Sequence, residues 1–339
     1  MTLLRKFYIL ALPLCIMLAV SGCGSANSAA PASEAASTPN PSSASDSIST
    51  EAASTQASGD EEASDSPSSE ANVPSSSVET LKAEADGITM HYLRFGNGDK
   101  TMVVLPGVSA FHVTDSGEAV AAGFADFAED FTVYLFDVKE DVPEGYTLQQ
   151  MAEDTKTIML SLGLQDICLY GVSMGGMMSV YIAGKYPELI ERLVLASTTC
   201  TSSDIQQNVL EAWASLAESG DRSGLAESVA KTIYSENTIA AYGDVLTAGY
   251  DTLTDEAMTR FSRCVSSMFS FDFSEEAAAI KCPVLVLGSK GDAVLTPDAP
   301  YYLAAQTNGT LYLYGEEYGH AVYDEAPDFK ERVLTSMYP

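Results

Sequence analysis

The sequence GVSMG at residues 171–175 limits the possible folds more than any other feature of the chain. It follows an apolar run, Asp166–Gly171, that predicts a buried strand, and it leads into a segment with helical spacing, Met174–Tyr186. A G-x-S-x-G sequence between a strand and a helix holds the serine on a sharp turn, because the glycines leave room for neighbouring backbone. The segment therefore predicts an α/β sheet with Ser173 as a nucleophile at its carboxyl edge.

Other apolar runs alternate with helical segments, which predicts a mostly parallel sheet covered by helices on both faces. One helix is predicted from Thr147 to Leu162. Residues 204–271 have helical spacing and no predicted strand. A segment of this length is long for one crossover connection, so we predict a helical cap there. Ordinary crossover helices are the alternative. The other predicted strands are Ile88–Phe95, Thr101–Leu105, Phe131–Phe136, Leu193–Ala196, Pro283–Leu287 and Thr310–Tyr314.

A serine nucleophile needs a general base, and the chain contains three histidines, His91, His112 and His320. His91 lies inside a predicted strand. His112 follows the turn after the Thr101 strand and is a candidate for the pocket wall. In G-x-S-x-G hydrolases the order along the chain is serine, acid, histidine, and His320 alone follows Ser173. We therefore predict His320 as the base.

The acid is expected on a loop that follows a strand between the nucleophile and the base. Asp292 lies on the loop that follows the strand ending at Leu287, and its carboxylate is suited to orient an imidazole. Asp298 is a rival, but it follows a proline and has the position of a residue that starts a helix. Asp204, where the predicted cap begins, is a weaker rival.

An oxyanion hole requires two backbone N–H donors. Met174 directly follows the nucleophile and starts a helix, so its N–H group is the first candidate. The turn after the Thr101 strand should provide the second donor, for which we select Val108, with Ser109 as the alternative.

From about residue 85 to 339 the chain resembles the capped members of the α/β-hydrolase family. The resemblance implies an eight-stranded sheet, a Ser173–Asp292–His320 triad and cleavage of an ester or related acyl bond without a cofactor. It is carried by LPG at residues 105–107, FD at 136–137, YTLQQMAED at 146–154, GVSMGG at 171–176, GD at 291–292 and GH at 319–320.

Two departures from the family pattern bear on the substrate. Pro106-Gly107 stands where the family usually has His-Gly, and VKEDVP at residues 138–143 replaces a loop usually rich in Arg and Gly. Both changes alter the residues that line the pocket, so the resemblance to a subfamily does not predict the substrate. The serine nucleophile argues against the dehalogenase-type members, which use aspartate.

The first 23 residues have the organisation of a secretory leader. Arg5 and Lys6 precede an apolar run, Phe7–Val20, that is short for a membrane span. Residues 18–23, LAVSGC, resemble the lipobox of bacterial lipoproteins, which implies a signal peptide over residues 1–22 and a lipidated Cys23. Two acyl chains give stable anchoring, so we expect the protein at the cell membrane, on its extracytoplasmic side. An ordinary secretory signal is the alternative.

Residues 23–80 consist of Cys23 and a stretch dominated by Ser, Ala, Pro, Thr and acidic residues. Such a composition buries too little apolar surface to offset the entropy of ordering, so we predict a disordered tether. The predicted hydrolase domain covers residues 81–339.

The formal net charge of −30 argues against a nucleic-acid partner, because the chain repels phosphate. The cysteines after the leader have no C-x-x-C pair and no metal-ligand spacing, so we expect no metal site. Cys168 is predicted to be a core residue. A disulfide between two of Cys200, Cys264 and Cys282 is compatible with an oxidising compartment, and the sequence does not select a pair.

These features favour a monomeric serine hydrolase that acts on a small-molecule ester through an acyl-enzyme. Cleavage of a peptide, a lactone or a carbon–carbon bond by the same catalytic residues is the alternative to ester cleavage. The alternatives are an acyltransferase and a catalytically silent surface binding protein on the same fold. Six apolar residues of the predicted cap fit either its core, which we favour, or a pocket wall: Trp213, Met258, Phe261, Met268, Phe269 and Phe271.

Overall fold

The computed structural model describes residues 77–338, which contain eight strands in a single sheet. The predicted signal peptide, Cys23 and nearly all of the predicted tether lie outside the described residues. Within residues 77–338, no helix is both long enough and apolar enough to cross a membrane. The strands are β1 (Glu79–Ala85), β2 (Ile88–Phe95), β3 (Lys100–Leu105), β4 (Phe131–Phe136), β5 (Ile167–Val172), β6 (Ile190–Ala196), β7 (Val284–Ser289) and β8 (Thr310–Tyr314).

The strand order in the sheet is β1-β2-β4-β3-β5-β6-β7-β8. Strand β2 runs antiparallel to both β1 and β4, and all pairs from β4 to β8 are parallel. Every residue of β5 is buried, as expected for a central strand covered on both faces. The eight-stranded, mostly parallel sheet predicted from the sequence is thus confirmed.

Eleven α-helices accompany the sheet within residues 77–338. Thr147 caps the second of them, because its hydroxyl accepts a hydrogen bond from the Gln150 N–H group at 3.2 Å. The helices are α1 (Gly117–Gly123), α2 (Leu148–Ser161), α3 (Met174–Lys185), α4 (Asp204–Glu218), α5 (Arg222–Ile233), α6 (Glu236–Thr247), α7 (Asp255–Ser266), α8 (Ser274–Ala279), α9 (Ala299–Thr307), α10 (Val322–Glu325) and α11 (Phe329–Ser336).

Helices α4 to α7 form the predicted cap, inserted between β6 and β7. Helix α4 packs against α7, whereas α8, which follows, packs on α3 in the main domain. The interpretation of the apolar cap residues as core is supported, because four of the six are buried and the other two are partly buried. The buried four are Trp213, Met258, Phe261 and Met268.

The strand β1 was not predicted from the sequence. It begins at Glu79, two residues before the predicted start of the domain at residue 81, and takes in the end of the predicted tether. Its sequence, ETLKAEA, is polar because β1 is an edge strand with one buried residue, Ala83. The dipeptide Asp86-Gly87, with both φ angles positive, joins β1 to β2 as a two-residue hairpin turn and was the available signal.

Candidate active site

Ser173 occupies the turn between β5 and α3 with φ 50° and ψ −118°, a strained conformation for a residue with a side chain. The glycines after it allow two other segments to approach. A β-carbon on Gly175 would lie 2.5 Å from the Pro106 carbonyl oxygen, and one on Gly176 would lie 2.6 Å from the Thr198 side chain. The turn after β3 and the loop after β6 therefore both reach the serine.

His320 lies on the loop after β8 and is 1% exposed. Its Nε2 atom is 3.1 Å from Ser173 Oγ. The Ser197 hydroxyl donates to the His320 carbonyl at 2.6 Å, and the Ala321 N–H group donates to the Ile233 carbonyl at 2.9 Å. The backbone that carries the imidazole is therefore anchored both to the loop after β6 and to the cap.

Asp292 lies on the loop after β7, with its Oδ2 atom 2.7 Å from His320 Nδ1. Its Oδ1 atom accepts hydrogen bonds from the N–H groups of Val294 at 2.8 Å and Leu295 at 2.9 Å. Burial of Asp292 disfavours the carboxylate, but the imidazole and these N–H groups outweigh burial and hold its pKa below the ordinary value. The structure thus brings together Ser173, His320 and Asp292.

The rival residues lie elsewhere or pair with other groups. His91 lies on β2, where it is partly exposed, and its Nε2 atom is 3.7 Å from Glu140. Asp204 and Asp298 are exposed, Asp204 as the first residue of α4 and Asp298 directly before α9. His112 has its Nδ1 atom 2.7 Å from Asp137.

The two selected oxyanion donors lie on segments that are held together. The Gly175 N–H group donates to the Pro106 carbonyl at 3.1 Å, which fixes the turn after β3 against the start of α3. Met174 is the first residue of α3, where a backbone N–H group has no partner within the helix. Val108 and Met174 are buried and line the same cavity as the alternative donor, Ser109. The Ser109 hydroxyl accepts a hydrogen bond from Phe111 N–H at 3.0 Å.

A cluster of charged residues beside this cavity was missed from the sequence. The Asp137 side chain, 5% exposed at the end of β4, accepts hydrogen bonds from Arg260 Nη2 of the cap helix α7 and from His112 Nδ1. Burial disfavours both members of the ion pair, but their attraction prevails: the pKa of Asp137 is lowered and that of Arg260 is raised. In the sequence Asp137 was noted as a strand end and as part of the FD pair in the family resemblance, and nothing there linked it to Arg260, which is 123 positions away.

The cysteines of residues 77–338 are free, so no disulfide joins Cys200, Cys264 and Cys282 in this structure. Cys168 is buried, as predicted. Burial raises the pKa of each of these four thiols to about 11, which keeps them protonated near neutral pH.

Comparisons with known proteins agree with the topology. Human serine hydrolase BPHL is 26% identical over 149 residues, which are 40% of this chain and 48% of that protein, so the match spans about half the relative's length. The 3-oxoadipate enol-lactonase 2 of Acinetobacter baylyi is 20% identical over 220 residues, which are 62% of this chain and 79% of the relative.

Among solved structures, MGS-M2, an α/β hydrolase enzyme from a Medee basin deep-sea metagenome library, superposes with a TM-score of 0.68. It is 22% identical in sequence, and the superposition covers 75% of this chain and 96% of MGS-M2. Residues 100–237 match the model of the α/β-hydrolase fold family. Together with the sheet order, these matches show that the chain has the α/β-hydrolase fold.

Proposed function

We propose that this protein is a serine hydrolase that cleaves an ester or closely related acyl bond through an acyl-enzyme. The observation that carries the proposal is the alignment of three groups: His320 lies between Ser173 and Asp292, at 3.1 Å and 2.7 Å from them. A hydroxyl, an imidazole and a carboxylate in this order are the components that nucleophilic acyl transfer requires.

The proposed reaction begins as Ser173 Oγ attacks the substrate carbonyl carbon and His320 Nε2 takes the hydroxyl proton. Asp292 stabilises the imidazolium and keeps the proton of Nδ1 in place. The N–H groups of Met174 and Val108 hold the negative oxygen of the tetrahedral intermediate. His320 then protonates the leaving alcohol, and water, deprotonated by His320, releases the acid from Ser173.

Carboxylic esters are the proposed substrate class. The relatives support cleavage at a carbonyl, since one is named a serine hydrolase and the other an enol-lactonase, and a lactone is a cyclic ester. All three site residues come from one chain, which is consistent with a monomer as the proposed active form.

Hydrolysis of short-chain 4-nitrophenyl esters by the purified protein tests the proposal. We expect turnover by the intact protein, loss of turnover in Ser173→Ala, and labelling by a fluorophosphonate probe that also requires Ser173. Ser161→Ala is the matched control, because that hydroxyl contacts only the Ile158 carbonyl at the end of α2. Equal inertness of the intact protein and Ser173→Ala towards esters and probe would support a silent binding protein instead.

An acyltransferase differs from a hydrolase in its acceptor. Adding primary alcohols to the ester assay distinguishes the two, because a transferase forms a new ester at the expense of free acid. We expect free acid to remain the main product.

We also propose that Cys23 carries a lipid and holds the protein at the extracytoplasmic side of the cell membrane. The proposal is supported by the leader sequence and the LAVSGC motif at residues 18–23. Cys23→Ser should move the protein from the membrane fraction to the soluble fraction and abolish incorporation of labelled palmitate. Retention of Cys23→Ser at the membrane together with unchanged labelling would contradict the anchor.

A further inference from the structure

The last residue of β6 and the two residues after it contact the backbone of the candidate nucleophile. The Ser173 N–H group donates a hydrogen bond to the Ala196 carbonyl at 3.0 Å. The Thr198 hydroxyl donates to the Ser173 carbonyl at 2.7 Å. Both polar groups of the Ser173 backbone are therefore held by one short segment, which follows a different strand from the nucleophile.

The same segment also holds the base and the strand that leads to the acid. The Ser197 hydroxyl donates to the His320 carbonyl at 2.6 Å, and the Ser197 N–H group donates to the Leu287 carbonyl in β7 at 2.9 Å. Asp292 lies on the loop after β7. Ser197 and Thr198 thus connect the three segments that carry the candidate site.

Ser197 has a backbone conformation that is unfavourable for serine. Its φ angle is 46°, in the left-handed region, where the β-carbon is crowded and glycine is preferred. Residues keep such a conformation where the surrounding structure compensates for it, often at functional sites. A serine at this position makes the hydrogen bond to the His320 carbonyl, which a glycine has no side chain to make.

Both hydroxyls are buried, so their hydrogen bonds are shielded from competing water. The Thr198 side chain also packs closely against the first turn of α3, since a β-carbon on Gly176 would lie 2.6 Å from it. The positions of the two hydroxyls therefore depend on tightly packed parts of the fold.

We infer that Ser197 and Thr198 are positioning residues, which set the distance between Ser173 Oγ and His320 Nε2. This inference rests on the proposed function. Both hydroxyls contact backbone carbonyls, so they act through the segments that carry the reacting atoms. Transfer of the hydroxyl proton requires Oγ and Nε2 to stay within hydrogen-bond reach, and a small displacement of either segment slows the reaction.

Thr198→Val tests the contact with the nucleophile, because valine keeps the branched shape and removes the hydroxyl. We expect kcat for 4-nitrophenyl butyrate to fall roughly tenfold, less than for a full 1 Å misplacement, because the Ser173 carbonyl keeps the N–H group of Met177 at 3.0 Å. KM should change little. Thr198→Ser restores the hydroxyl and should recover most of the lost kcat.

Two variants of Ser197 separate the hydroxyl from the backbone conformation. Ser197→Ala removes the hydrogen bond to His320 and keeps the β-carbon, whereas Ser197→Gly removes both and suits a positive φ angle. We expect both variants to lower kcat by roughly tenfold to a hundredfold. Wild-type kcat in Ser197→Gly, with a fall only in Ser197→Ala, would overturn the role of the hydroxyl.

Thr307→Val is the matched control, because Thr307 is also buried and its hydroxyl donates to the Leu303 carbonyl within α9 at 2.8 Å. It should keep wild-type kcat. Circular dichroism at the assay temperature gives the folded fraction, so that kcat refers to folded protein in every variant. The rate at which a fluorophosphonate labels Ser173 is a second readout and should fall with kcat.

The outcomes distinguish this inference from the proposed function. Wild-type kcat and labelling rates in Thr198→Val and both Ser197 variants would overturn the positioning role and leave the serine hydrolase intact. A fall in Thr198→Val that Thr198→Ser does not reverse would assign Thr198 a packing role and overturn the inference for its hydroxyl. Absence of Ser173-dependent hydrolysis in the wild-type protein would contradict the proposed function itself.

Discussion

Gly291 and Glu316 lie so close together that a β-carbon on Gly291 would be 2.5 Å from the Glu316 carbonyl oxygen. The first residue belongs to the loop that carries Asp292, and the second belongs to the loop that carries His320. The Ser289 hydroxyl joins the same loops, since it donates to the Gly315 carbonyl at 3.0 Å and accepts from Gly291 N–H at 3.1 Å. The short distance between acid and base thus depends on a glycine.

We expect Gly291→Ala to separate the two loops and to lower kcat for ester hydrolysis by roughly a hundredfold, the scale of a 1 Å misplacement. Steady-state kinetics with a 4-nitrophenyl ester measure the effect. Gly243→Ala in α6 is the control, because its β-carbon would meet only an Ile239 methyl carbon at 3.9 Å. The Gly243→Ala control should keep the wild-type kcat and be as stable as the wild-type protein or more stable. Wild-type kcat in Gly291→Ala would show that the close approach is unimportant.

Glu325 connects the loop that carries His320 to the cap. One carboxylate oxygen accepts from Gly319 N–H at 2.6 Å, and the other accepts from Ser235 N–H at 2.8 Å, directly before α6. Glu325→Gln replaces one acceptor with an NH₂ group, so one N–H loses its partner. We expect unfolding in urea to show a loss of about 1–3 kcal/mol.

The same substitution should lower kcat more than it changes KM, because the imidazole moves relative to Ser173 while the pocket remains. Glu331→Gln, on the exposed side of α11, is the matched control and should change neither kcat nor stability. A loss of stability with unaltered kcat would limit Glu325 to a structural role.

The residues of the candidate site could be predicted from the sequence because each follows a strand that is apolar along its length. Ser173 directly follows β5, Asp292 lies on the loop after β7, and His320 lies on the loop after β8. The carboxyl ends of parallel strands meet at one edge of a sheet. The order of the three residues then selected His320 as the base, and the position on a loop after a strand favoured Asp292 over the rivals Asp298 and Asp204.

The parts that were missed depend on contacts between distant segments or on exposed structure. The pairing of Asp137 with Arg260 is set by how α7 lies over the end of β4, and helical periodicity leaves that orientation undetermined. Strand β1 has polar residues because it forms the sheet edge, so its sequence resembles that of the segment before it. Burial patterns identify core strands, not edges.

We expect Asp292→Asn to lower kcat by roughly 10⁴-fold, as loss of the orienting carboxylate does in serine proteases. Val294 and Leu295 both donate N–H groups to Asp292 Oδ1, so the amide oxygen of the variant must face them. The NH₂ group then faces His320 Nδ1 and favours the tautomer that cannot accept the Ser173 proton. Single-turnover kinetics measure the loss.

Asp298→Asn, which alters the rival acid, is the matched control for Asp292→Asn. It should retain wild-type kcat. An Asp292→Asn variant with nearly full activity would remove Asp292 from the proposed mechanism.

The pH dependence of stability should reveal the buried pair of Asp137 and Arg260. Burial opposes ionisation of Asp137, but Arg260 and His112 outweigh it and lower its pKa below the ordinary value of 3.8. A carboxyl group with a lowered pKa stabilises the fold above the pKa of the unfolded chain, and that stabilisation is lost as pH falls towards the folded-state pKa. Near neutral pH, Asp137→Asn should cost about 3–5 kcal/mol, because it leaves a buried cation without its partner.

The difference in unfolding free energy between wild type and Asp137→Asn should therefore shrink as the pH falls below about 4. Other carboxyl groups titrate in both proteins, so the difference isolates the group at residue 137. Urea unfolding at pH values between neutrality and 2.5 measures the trend. The double variant Asp137→Asn/Arg260→Met removes the unpaired cation and should be more stable than Asp137→Asn alone. A constant difference across this range would mean that the Asp137 carboxylate does not stabilise the folded protein by ionic pairing.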